Sequence, residues 1–143
     1  VQYTAFLEKN PEYVASTEEE RLFDEGIAVT ALEIALKRHA GYFAQEYNPV
    51  LGIVPGTPVG RDLRKVEYVV AIGGIFAHSS EEKAGAVLTK AFENPGLSLL
   101  PRKPLFIIDQ EYLMYAIGTI GQKYPEEVLN FAISYLKKHY IAC

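Results

Sequence analysis

The run Val66-Glu67-Tyr68-Val69-Val70-Ala71-Ile72-Gly73-Gly74 constrains this chain more than any other. Its β-branched and aromatic residues pass into an almost wholly apolar stretch, the pattern of a strand covered on both faces in a parallel sheet, and paired glycines end it sharply. Ser79-Ser80-Glu81-Glu82 then opens a helix, because hydroxyls accept from its first free amides and carboxylates suit its positive end. Ala84, Val87, Leu88, Ala91 and Phe92 share one face of that helix, and Asn94-Pro95-Gly96 closes it. A second short apolar run follows, Leu105-Phe106-Ile107-Ile108. Strand, helix and strand in this order form a right-handed parallel unit. The expected fold class is therefore α/β, a short parallel sheet flanked by several helices.

Two overlapping capping boxes, Ser16 with Glu19 and Thr17 with Glu20, predict the start of a long helix. Leu22, Val29, Leu36 and Phe43 recur every seven residues, with Ile27, Ala31, Ile34 and Ala35 beside them. That pattern predicts a helix wrapped by protein until Asn48-Pro49 stops it. Gly26 costs about 1 kcal/mol inside such a helix relative to Ala, and so marks a close contact or a break. Residues 51–61 read as an ordered apolar loop. Asp109 is expected to cap a helix carrying Leu113, Ala116, Ile117 and Ile120. Pro125, Glu126 and Glu127 open a last helix with Leu129, Ala132, Ile133 and Leu136 as its buried stripe.

Composition excludes several roles. At 143 residues with 49% apolar content, the chain can bury one core, so residues 1–143 are taken as a single domain. A formal charge of −4 with scattered Lys and Arg gives nucleic acid and anionic membranes no footing. No apolar run approaches the roughly 20 residues of a spanning helix. The sole cysteine, Cys143, excludes an internal disulfide, and a reducing cytoplasm is the expected compartment. His39 and His78 lack a Ser, Cys or carboxylate at triad spacing, and His139 with Cys143 supplies only two metal ligands. No catalytic residue and no metal site is assigned.

The Gly73-Gly74 pair supports two readings. It is a tight turn at a strand end, or a place where bare backbone lies against a nucleotide. It is not the dinucleotide fingerprint, because Phe76 and His78 stand where further glycines belong.

Gly60-Arg61-Asp62-Leu63, residues 66–74, Leu99-Leu100-Pro101 with Pro104, and Phe106-Ile107-Ile108-Asp109 leading into residues 112–118 together resemble the glutamate mutase activator family. These are MutL-type proteins of cobalamin metabolism, unrelated to mismatch repair. The resemblance implies a partial actin-like (ribonuclease H-like) domain, related to sugar kinases and chaperone ATPases. It implies ATP as cofactor, with Mg in a longer parent, and adenosylcobalamin-dependent mutase subunits as partners. It places Gly73, Gly74 and Ile75 against adenosine. Glu33, Lys37 and Arg38 approximate the Glu-x-x-Lys-Arg pattern of the chaperone branch, with the Glu one residue too far upstream; Glu33 and Lys37 are equally an ordinary i,i+4 pair. The two phosphate loops of the superfamily find no match, so the expectation is the carboxy-terminal, adenosine-side part of a longer activator. A rival expectation is a non-enzymatic interaction module that keeps the fold and has lost nucleotide binding. Self-association as a homodimer is also expected, through an unpaired edge of either strand or the apolar loop 51–59, unless residues 3–14 fold back over the edge.

Overall fold

The computed structural model describes residues 2–141, the last two through their backbone alone. Helix α1 (Gln2–Lys9) leads by a short turn into α2 (Glu18–His39). Of the two capping boxes, the second forms: the Thr17 hydroxyl accepts from the Glu20 amide at 3.2 Å, and the Glu20 carboxylate accepts from the Thr17 amide at 3.0 Å. Glu20 also accepts from the Ser16 amide and from the Tyr13 hydroxyl. These amide and hydroxyl donors, Ser16 foremost, hold its carboxyl down at about 2.

Helix α2 ends at His39 and does not run to Asn48. A Cβ on Gly41 would stand 2.2 Å from the Val59 carbonyl oxygen, so the chain leaves the helix where its backbone is pressed against residues 59–61. Gly41 donates to the Arg61 carbonyl and accepts from the Leu99 amide, while Leu63 donates to the Leu99 carbonyl. Two of the sequence motifs, around Gly60 and Leu99, thus clasp one glycine. Phe43, taken above as a helix residue, lies in β1 (Tyr42–Phe43), which pairs antiparallel with β2 (Pro58–Val59). Gly26 neither breaks α2 nor touches a neighbour, since nothing lies within 4 Å of its Cβ direction. Nor is α2 wrapped: Ala28, Val29 and Leu32 pack on the core, while Leu22, Phe23, Ile27 and Ile34 are exposed.

The parallel unit forms as the sequence predicts. Strands β3 (Tyr68–Ala71) and β4 (Leu105–Ile108) pair in parallel from Tyr68↔Leu105 to Ala71↔Ile108, joined through α3 (Gly74–Ala77) and α4 (Glu81–Glu93). Ser80 caps α4 by accepting from the Lys83 amide. The core is Ala71, Phe76, Ala84, Val87, Leu88, Phe106 and Ile108. Only one face of β3 is covered: Val69 and Ala71 point inward, whereas Tyr68 and Val70 are exposed. β4 is central rather than an edge, because β5 (Tyr140–Ile141) pairs antiparallel on its other side, a strand too short for periodicity to reveal.

After β4, α5 (Leu113–Gly121) packs against α6 (Pro125–Leu136). Asp109 is 2% exposed, and its two carboxylate oxygens accept from the Leu113 and Met114 amides, both at 2.9 Å. The stripe expected on α6 is right only in part: Ala132 and Leu136 are half-buried. Leu129 and Ile133 face solvent, and Tyr135 is the buried residue. Among the described residues, no helix is long and apolar enough to cross a membrane.

Candidate functional site

The end of β3 is where backbone geometry becomes specific. Gly73 has φ of 120°, a conformation that residues with a Cβ rarely adopt, so the turn itself demands this glycine. Gly74 carries no such demand. It opens α3 in ordinary helical space, and a Cβ there would meet only the His78 ring at 3.8 Å. A glycine at a helix start without steric reason leaves an uncovered stretch of backbone, and here that stretch faces a cleft.

The cleft, about 740 Å³, is bounded on one side by Gly74, Ile75, His78, Ser79, Ser80 and Lys83. Opposite stand Arg21, Asp24, Glu25 and Ile27 of α2, with Leu7, Tyr13, Val14 and Ala15 before it. Its size is that of a small-molecule site. The charges are arranged in pairs: Lys83 lies 3.4 Å from Glu18 and 3.5 Å from Glu25, and Arg21 lies 3.7 Å from Glu18. Carboxylates therefore offset both cations of the lining. Apolar Leu7, Val14, Ile27 and Ile75 offer a surface for a flat ring, and Asp24 and Glu25 offer acceptors for hydroxyl or amino donors. Such a lining fits a nucleoside better than a polyphosphate, which needs uncommitted positive charge.

The residues singled out from sequence do not all meet. Gly74 and Ile75 line the cleft, with Gly73 directly before them shaping the turn. Glu33 and Lys37 pair with each other farther along α2 at 2.5 Å, and neither they nor Arg38 is among the lining residues. Asp24, Glu25 and Lys83, which do line it, went unnoticed in the sequence. Their only signal was position, two turns past the Thr17 cap for Asp24 and Glu25 and within the first turn after the Ser80 cap for Lys83, and nothing local says that those helices meet. Cys143, paired with His139 above, lies outside the described residues. Among the described residues, no cluster of three or more His, Cys, Asp or Glu could hold a metal ion.

A parallel strand–helix–strand unit whose glycine turn opens on a cleft of about 740 Å³ defines an α/β protein with a candidate small-molecule site. The chain belongs to the MutL protein family, whose model matches residues 1–136. It is similar to Protein MutL of Clostridium tetanomorphum, 32% identical over 127 residues that cover 87% of this chain. The chain spans about a quarter of that relative's length, 27%. No solved structure matches it.

Proposed function

We propose that this chain forms the adenosine-side wall of a nucleotide site in an actin-like activator of an adenosylcobalamin-dependent mutase of the glutamate mutase kind. The observation that carries the reading is Gly74: unforced by its own backbone, it leaves a bare surface on a cleft of about 740 Å³. MutL family membership supports the mutase partner, and the parallel β3–α4–β4 unit is compatible with an actin-like domain.

In this reading, Gly74 admits the ligand close to the backbone, and Ile75 and Ile27 sandwich the base. Asp24 and Glu25 accept from ribose hydroxyls or the exocyclic amine. Lys83 holds the two walls together through Glu18 and Glu25. ATP, with Mg, would supply phosphates whose binding and hydrolysis shift the parent between forms that hold and release the mutase, so that inactivated cobalamin is exchanged. This chain's residues serve the nucleoside only.

Calorimetric titration tests the reading. Adenosine and ATP bind alike and weakly, and Gly74→Asp abolishes both; micromolar ATP binding with clear preference over adenosine would contradict it. Co-sedimentation with mutase subunits tests the partner. A second reading, a pure interaction module, is favoured by one observation: residues 47–60 carry no charge and expose Val50 and Leu51 on a turn fixed by the Asn48 side chain. Under it, the chain binds the mutase and ignores nucleosides.

A further inference from the structure

The Tyr3 hydroxyl is enclosed by protein and completes no hydrogen bond. An enclosed donor without an acceptor costs stability, so an orphan of this kind calls for a partner. The ring itself is well held: it packs edge-on against Phe23 of α2 at 5.2 Å and stacks on Phe6 at 6.3 Å. Two carboxylates of α2 stand near the hydroxyl, one helical turn apart. Burial foremost, then Asp24, then Glu20, push the phenol up. Glu20 is already committed, since it accepts from the Ser16 and Thr17 amides and from the Tyr13 hydroxyl, the last at 3.1 Å. Asp24 is not. Among the described residues no cation lies within ion-pair reach of it, whereas Glu18 and Glu25 share Lys83. Asp24 is half-buried and lines the cleft. A hydroxyl with an uncommitted proton thus neighbours a carboxylate with uncommitted lone pairs, and that carboxylate stands on the ligand's side.

We infer that Tyr3 is a positioning residue for the ligand's ribose: its hydroxyl donates to one oxygen of Asp24 and fixes the carboxylate with its remaining lone pairs toward the cleft, where the 2′,3′-diol meets them. The inference rests on the nucleoside reading of the cleft and narrows it. An ionised carboxylate only accepts. The exocyclic amine of adenine stands beside ring nitrogens that also accept, so a carboxylate at the base edge gains one bond and meets one repulsion. The ribose diol presents two adjacent donors and no such repulsion. Glu25 is the weaker candidate for this role, because Lys83 already takes up part of its charge. One turn earlier on α2, Tyr13 and Glu20 show the completed form of the same tyrosine–carboxylate contact.

Amide-shift titrations of the full chain with adenosine and with 2′,3′-dideoxyadenosine test this. Tyr3→Phe keeps the ring and its packing and removes only the hydroxyl. It weakens adenosine binding by about threefold to tenfold, the range of one hydrogen bond, and leaves 2′,3′-dideoxyadenosine binding unchanged. In an Asp24→Ala background the same substitution no longer changes adenosine affinity, because the two residues act through one contact. An adenosine affinity that Tyr3→Phe leaves unchanged, an equal weakening of both nucleosides, as a packing role alone gives, or an effect that persists in Asp24→Ala overturns the inference. Failure of the nucleoside reading looks different: neither nucleoside then gives Gly74-dependent shifts even in the unaltered chain, and the inference falls with it.

Discussion

The Tyr135 hydroxyl donates to Asp109 Oδ1 at 2.6 Å, tying the end of the central strand β4 to the last turn of helix α6. Asp109 is thereby saturated: two amides of α5 and one hydroxyl of α6 converge on one buried carboxylate. A strand-end aspartate invites a catalytic reading, and this one holds three elements in register. Tyr135→Phe removes one donor and should cost about 1–2 kcal/mol, whereas Asp109→Ala strands three donors and should cost about 3 kcal/mol. Urea unfolding of both variants and the double variant measures this; additive costs would mean the contact does not couple the helices.

The same contact shapes the response to pH. Burial pushes the Asp109 carboxyl up, but donors from Tyr135, Met114 and Leu113, with His139 nearby, outweigh it and leave it below its ordinary value. A depressed carboxyl contributes stability above its unfolded value near 4, and the contribution is lost as pH falls through the folded value. Glu20, at about 2, acts in the same direction. Tyr135 is the mirror case: burial foremost, then Asp109, raises it to about 12. Its contribution is complete below about 10 and lost between there and about 12. Melting temperature should therefore fall below about pH 4 and again above about pH 10. Asp109→Asn should flatten the acid limb and Tyr135→Phe the alkaline one.

Two glycines predict opposite outcomes for one substitution. Gly41→Ala drives a Cβ to 2.2 Å from the Val59 oxygen and 2.7 Å from the Arg61 nitrogen, both backbone atoms that cannot yield cheaply. It should destabilise by more than about 3 kcal/mol. Gly26→Ala, in mid-helix with open space around it, should stabilise by about 0.5–1 kcal/mol. Thermal melts of the two variants check the contrast.

What the sequence made legible follows from where the controlling interactions lie. Caps at Thr17 and Ser80 and the order of apolar strand, glycine turn and capped helix are local and were read correctly, while the one-turn helix α3 that starts at Gly74 and the open face of β3 were not. The end of α2 was not, because Gly41 is set by contact with residues 59–61, and the heptad spacing continues past it to Phe43. On α6, aliphatic Leu129 and Ile133 suggested the inner face, but the buried tip of Tyr135 reaches a carboxylate 26 residues upstream. A hydrophobicity pattern carries no record of that partner. The cleft was half visible: Gly74 and Ile75 stood out as a turn, while Asp24, Glu25 and Lys83 join it only through packing of α2 on α4.

The central claim is that the Gly74 cleft accepts a nucleoside, and amide chemical-shift mapping tests it most directly. With adenosine at concentrations on the order of 1 mM, and with ATP, shifts should concentrate at Gly74, Ile75, His78, Ser79, Lys83, Asp24 and Glu25. They should vanish in Gly74→Asp. Adenosine shifts that are lacking altogether, scattered over the surface, or unchanged by Gly74→Asp would contradict the account.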